Sequence, residues 1–139
     1  MFLLDTNVIS ELRKAHHKRT DPVFRAWAKD LQWEELYLSV ITLYELEVGI
    51  SRLAEYDSAQ SAILRVWLDK SVVGKFEHRI LPVTQEIALL AGKLQRSRSR
   101  SPEDTLIAAT ALINGMRLVT RNIADFQDAN VHIINPWQL

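Results

Sequence analysis

Four carboxylates share one kind of address along the chain, each set beside an apolar stretch, three after a strand-like run and one at the head of a helix. Asp5 directly follows Phe2-Leu3-Leu4. Glu45 lies in the helical pattern after Leu36-Tyr37-Leu38-Ser39-Val40. Asp104 stands at the head of an Ala-rich stretch, and Asp125 comes just after Leu118-Val119-Thr120. Carboxylates gathered in one cleft repel one another, so either some stay protonated or a cation neutralises them. An all-oxygen acidic set suits a hard divalent cation, Mg²⁺ or Mn²⁺. Such a cation activates water and offsets charge on a phosphoryl oxygen, which is what metal-assisted phosphodiester hydrolysis requires. Thr6, Asn7, Thr120 and Asn122 lie beside these acids and could orient ligands or water from behind them.

Spacing alone leaves a plainer reading open. An Asp just before a helix is often only an N-cap, and a chain with 17 acids will often place four of them at strand ends.

The elements that must position the acids read as alternating strands and helices. Met1 to Leu4 is wholly apolar, as expected of a strand buried on both faces. Val8, Ile9 and Leu12 space out a short helix, followed by a basic loop from Arg13 to Arg19 that is either solvated or a phosphate contact. Asp21-Pro22 reads as an N-cap and first helical residue, opening a helix with Val23, Trp27 and Leu31. Leu36 to Val40 is a second strand. From Thr42 to Leu53, Leu43, Leu46, Ile50 and Leu53 share a helical face, with Glu45 beside it and Gly49 allowing close approach of another element. A helix over Ser58–Val73 carries Ile63, Val66, Trp67 and Lys70. Ile80 to Val83 is a brief strand, placed at an edge or strand end by Pro82, and Glu86–Gln95 a helix. Ser97-Arg98-Ser99-Arg100-Ser101-Pro102 is of low complexity. Glu103 and Asp104 then open a helix that runs to Ile113 and is stopped by Gly115 at C′. Leu118 to Thr120 is a strand, Arg121 to Phe126 a loop or single turn, and Val131 to Ile134 a last strand. This alternation predicts an α/β fold with right-handed crossovers and a mainly parallel sheet covered on both faces. Parallel strands put all their carboxyl ends on one edge, so the four acids could meet there.

The chain of 139 residues is read as one domain over 1–139. Its 17 basic and 17 acidic residues cancel, so no global field draws it to nucleic acid or membrane. It has no cysteine, which excludes disulfides, zinc–thiolate sites and thiol catalysis and fits a reducing cytoplasm. Neither a signal peptide nor a membrane span is apparent. His16, His17, His78 and His132 show no ligand spacing, and surface or packing roles suit them. Trp27, Trp33 and Trp67 suit a core or a dimer interface. No Walker motif, dinucleotide fingerprint or zincin motif is present.

The wording of four stretches narrows the choice. Phe2-Leu3-Leu4-Asp5-Thr6-Asn7-Val8, Ser39 to Leu46 with Gly49, Asp104 to Ala111, and Leu118 to Asn122 with Asp125-Phe126 closely resemble the PIN-domain family. The closing Asn135-Pro136-Trp137 looks like its VapC/FitB branch, the toxins of toxin–antitoxin pairs. The resemblance covers essentially the whole chain. It implies a three-layer α/β/α sandwich and a Mg²⁺- or Mn²⁺-dependent endoribonuclease. Asp5, Glu45, Asp104 and Asp125 match the family's acidic quartet, Thr6 and Asn7 its threonine–asparagine pair, and Thr120 the polar residue after the fourth strand. It also implies a homodimer and a cognate antitoxin that wraps the toxin and binds operator DNA. One departure is the Arg/Ser-rich segment before Asp104. Glu103 adds a second acid there, read as solvated and favouring the helix dipole.

Rival readings fit less well. A haloacid-dehalogenase-type phosphatase wants a second acid two residues after the first, where this chain has Asn7. A response-regulator receiver wants paired acids and a late lysine. The alternative of another class is a catalytically silent module that only holds an antitoxin on DNA; nuclease activity discriminates it.

Overall fold

The computed structural model describes residues 1–15, 19–96 and 100–139. Part of the basic loop, with His16 and His17, and Ser97 to Ser99 of the Arg/Ser segment lie outside the described residues. Strands β1 (Phe2–Leu4), β2 (Leu36–Ser39), β3 (Ile80–Leu81), β4 (Arg117–Val119) and β5 (Ile133–Ile134) form one sheet in the order β3-β2-β1-β4-β5. All four pairings are parallel. Among the described residues, six α-helices join them: α1 (Thr6–Lys14), α2 (Pro22–Lys29), α3 (Val40–Leu53), α4 (Ser58–Val66), α5 (Gln85–Leu94) and α6 (Pro102–Ile113).

Alternation along the strands builds the layers. Leu4, Leu36, Leu38 and Val119 face α1, α2, α3 and the segment after α4, burying Val8, Ile9, Phe24, Leu46, Ile50 and Phe76. Leu3 and Leu118 face the other way, onto Ile107, Ala108 and Ala111 of α6 and onto Phe126. The alanines let α6 lie close on the sheet, and Ala108, Ala109 and Ala111 are fully buried. Side chains that point to opposite faces at successive positions thus make a three-layer α/β/α sandwich from strands only two to four residues long.

Strand order also locates the site. From β1 the chain moves outward to β2 and β3, then returns past β1 to β4 and β5. The order reverses between β1 and β4, and the crevice at the carboxyl ends of such a pair is where ligands bind in open α/β sheets.

Several expectations are corrected. The α2 helix ends at Lys29, so Leu31 lies beyond it, and Val23 is exposed while Phe24 enters the core. The single helix expected over Ser58–Val73 loosens into a π-helical stretch, Trp67–Val72, and Ile63 and Val66 point to solvent. Gly49 receives no close neighbour, since a Cβ there would meet nothing within 4 Å. The turn after β4 is longer than expected, a 3₁₀ segment over Ile123–Ala129. β3 is the edge strand anticipated from Pro82. Gly115 takes φ +64 and closes α6 with Met116 N–H on the Ala111 carbonyl at 2.9 Å and its own N–H on that of Leu112 at 3.2 Å. The three tryptophans Trp27, Trp33 and Trp67 are half-buried against the first core, and His78 and His132 are exposed.

Candidate active site

Asp5 is the fixed point of the crevice. It is 3% exposed, and its backbone N–H donates to the carbonyl of Val119, the last residue of β4, at 2.9 Å, continuing the ladder one residue past the end of β1. Oδ1 accepts the Thr6 N–H at 2.8 Å, so Asp5 is indeed the N-cap of α1. Oδ2 does something an N-cap does not need: it accepts from Thr120 Oγ1 at 2.7 Å and from Asn7 Nδ2 at 3.2 Å. Asn7 Oδ1 in turn receives the Arg121 N–H at 3.3 Å, and Thr120 Oγ1 receives the Asn122 N–H at 3.1 Å. Asn122 therefore enters through its backbone, and its side chain is left at the exposed rim. Burial pushes the Asp5 carboxyl above the usual range, against the downward pull of Thr120, Thr6 and Asn7.

Glu45 is brought in by α3, capped by Ser39, whose Oγ accepts the Ile41 N–H at 3.0 Å. Thr6 Oγ1 donates to Glu45 Oε1 at 2.7 Å and lies 3.1 Å from Thr42 Oγ1. Thr6 thus ties the first turn of α1 to the first turns of α3. Burial raises Glu45, and the charges of Asp5 and Glu103 add to the rise.

Asp104 arrives from the opposite layer. Ser101 caps α6 by accepting the Asp104 N–H at 3.1 Å, and Pro102 occupies the first turn, where its missing N–H costs nothing. Half-buried, Asp104 is pushed up to about 6, first by desolvation and then by the negative charges of Asp5, Glu45 and Asp125. Asp125, in the 3₁₀ segment after β4, is half-buried and adds its charge to both Asp5 and Asp104. Of the four acids expected from the sequence, Asp104 therefore stands within electrostatic reach of the other three, Asp5, Glu45 and Asp125, at the reversal point of the sheet. Among the described residues, no positively charged side chain contributes to the shifts of Asp5, Glu45 or Asp104.

A match to the family model for the PIN domain runs from residue 2 to residue 130. The chain belongs to the PIN-domain family. It is 34% identical over 143 residues to Toxin FitB of Neisseria gonorrhoeae, covering 99% of each chain. It is also 34% identical to VapC ribonuclease Y4jK of Sinorhizobium fredii, again over 99% of both. These full-length likenesses place it in the VapC/FitB-type branch. A solved structure of FitAB bound to an IR36 DNA fragment superposes with a TM-score of 0.86 at 32% identity, covering 100% of this chain and 97% of that one.

Within this PIN domain, three contributors escaped the sequence reading. Thr42 is fully buried behind Thr6; a threonine inside an apolar helical face was the available signal. Glu103 is not simply solvated. It is half-buried, shares a pocket of about 240 Å³ with Tyr44, Glu45, Val48 and Arg52, and its charge raises Glu45. Arg100 is 3% exposed and reaches the backbone of Asp125; in sequence it was one residue of a low-complexity Arg/Ser run with no role assigned to it.

Proposed function

We propose that this PIN domain is a Mg²⁺- or Mn²⁺-dependent endoribonuclease acting as the toxin of a toxin–antitoxin pair. The observation that carries the reading is Asp104, a half-buried carboxyl raised to about 6 by burial and by Asp5, Glu45 and Asp125 together. A cluster of that kind is costly without a counter-charge.

The donor set fits a divalent cation of the hard type. Among the described residues, no three acids are drawn together tightly enough to cage an ion unaided. Mg²⁺ keeps several of its waters and takes only one or two protein carboxylates, so an open acidic floor suits it. Asp5, Asp104, Asp125 and Glu45 would hold the ion together, one or two of them directly and the others through its waters. The cation supplies Lewis-acid chemistry, making water a stronger nucleophile at neutral pH and offsetting charge on a phosphoryl oxygen. The protein does the rest. Thr120 and Asn7 fix the Asp5 carboxylate in one orientation, and Thr6 holds Glu45 by Oε1. Carboxylates with raised pKa values release their protons only when a cation or a rise in pH favours it, which links metal binding to proton release.

Kinship with Toxin FitB and with a VapC ribonuclease supports both the toxin role and ribonuclease activity. The FitAB–DNA structure supports a cognate antitoxin as partner, with operator DNA reached through it. We propose a homodimer, with exposed Tyr44, Ile63, Val66 and Leu89 as apolar surface available for association. The site of action is the cytoplasm, where RNA and antitoxin meet; among the described residues no helix is long and apolar enough to cross a membrane. The test is incubation of the purified protein with total RNA in Mg²⁺, followed by sequencing of the new ends. Defined cleavage sites support the reading. Intact RNA from folded, metal-loaded protein would favour the silent binding module instead.

A further inference from the structure

We propose that Arg100 is a positioning residue that fixes Asp125 and Asp104 relative to one another. The inference rests on the reading of these acids as a cation site.

Arg100 sits in the connection between α5 and α6, and its side chain is almost wholly buried. A buried guanidinium is costly unless its donors are satisfied and its charge is met. Its partners are informative. Nε donates to the backbone carbonyl of Asp125 at 2.5 Å, and Nη1 to that of Leu94 at 3.4 Å. Nη2 faces the Asp128 carboxylate as an ion pair without making a regular hydrogen bond. The Arg100 carbonyl receives Gln95 Nε2 at 2.7 Å. One side chain thus joins the end of α5 to two residues of the 3₁₀ segment, and one of them is Asp125.

The next residue completes the device. Ser101 caps α6 through the Asp104 N–H, and its carbonyl accepts both the N–H and the hydroxyl of Thr105, each at 3.0 Å. Arg100 and Ser101 are covalently adjacent. The pair therefore holds the Asp125 segment with one residue and the Asp104 turn with the other, which sets the distance between two acids that lie on separate elements. Lysine could not do the same, because its ammonium is a point donor and the guanidinium is a planar fork that reaches several acceptors at once.

The test uses the full chain carrying Arg100→Lys, with Asp128→Asn as a second variant that loosens the ion pair and leaves Arg100 in place. Two readouts are taken: amide hydrogen exchange over residues 123–129 without metal, and Mn²⁺ affinity by calorimetry. Arg100→Lys is expected to speed exchange in that segment at least about tenfold and to weaken Mn²⁺ binding about 10-fold or more, the usual cost of losing a supporting partner. Asp128→Asn shifts both readouts in the same direction by less. Combining Arg100→Lys with Asp125→Asn should weaken Mn²⁺ binding no more than Asp125→Asn alone, since the arginine acts through that carboxylate. Wild-type affinity and exchange in Arg100→Lys, or additive losses in the double variant, overturn the positioning role and leave the cation site standing. If wild-type protein binds no Mn²⁺, the cation site itself fails and the positioning role falls with it. Should Arg100→Lys not fold, Asp128→Asn carries the same comparison.

Discussion

Thr120 Oγ1 donates to Asp5 Oδ2 at 2.7 Å across 115 positions of sequence. The bond closes the crevice between β1 and β4, where the order of strands reverses. Both residues are almost fully buried, so the contact is made away from competing water. Thr120→Val keeps the shape and removes the donor. We expect it to lower stability by about 1.5–3 kcal/mol, the range for losing a bond to a charged group, and to weaken Mn²⁺ binding about tenfold. Thr120→Ser should restore both. Urea unfolding and calorimetry make the comparison, and a valine variant equal to wild type in both would refute the role.

Asp5→Asn should abolish cleavage while keeping the fold. The amide oxygen can still accept the Thr6 N–H, so the N-cap survives, and removing one of several like charges relieves repulsion in metal-free protein. Circular dichroism and thermal unfolding check this: an unfolded variant would make Asp5 a structural residue first.

Stability of the metal-free protein should fall as pH rises from about 4 to about 6. In the unfolded chain Asp104 ionises near 3.8, while in the folded chain it keeps its proton up to about 6. Between those values the folded state binds more protons, so each rise in pH favours unfolding. The raised Asp5 and Glu45 act in the same direction. Asp104→Asn should flatten that part of the wild-type profile, and saturating Mn²⁺ should offset the fall by binding the ionised form. Melting temperatures at pH 4.5 and 7 that rise with pH in wild type relative to Asp104→Asn would contradict the assignment.

The first-turn acids of α6 should differ in weight. Asp104 feels three of the other acids, whereas Glu103 acts on Glu45 from beside the pocket. We expect Asp104→Asn to cost roughly 100-fold or more in kcat/KM and Glu103→Gln less than about tenfold. The reverse order would shift the functional register by one residue.

What the sequence made legible follows from the range of each interaction. Apolar runs, the Asp21-Pro22 start and the Gly115 stop are local, and they yielded the strands, helices and parallel order. Asp5 and Glu45 could be placed near one edge because each follows a strand that the pattern itself defines. Arg100 and Thr42 could not be found that way. Their roles depend on what lies across the fold: the Asp125 carbonyl for Arg100 and Thr6 for Thr42. Glu103 was misjudged because helix-dipole reasoning looks only along its own helix, while its effect is on α3. The π-helical Trp67–Val72 stretch left no local mark among ordinary helix formers.

The most direct test of the central claim is the rate of RNA cleavage against free Mn²⁺ or Mg²⁺, measured on chelator-stripped wild-type protein and on Asp5→Asn of matched fold. The account predicts no cleavage after chelation, full recovery in wild type as the cation is restored, and no recovery in the variant. Undiminished cleavage in chelator with metal removal verified, or equal recovery by Asp5→Asn, would contradict it.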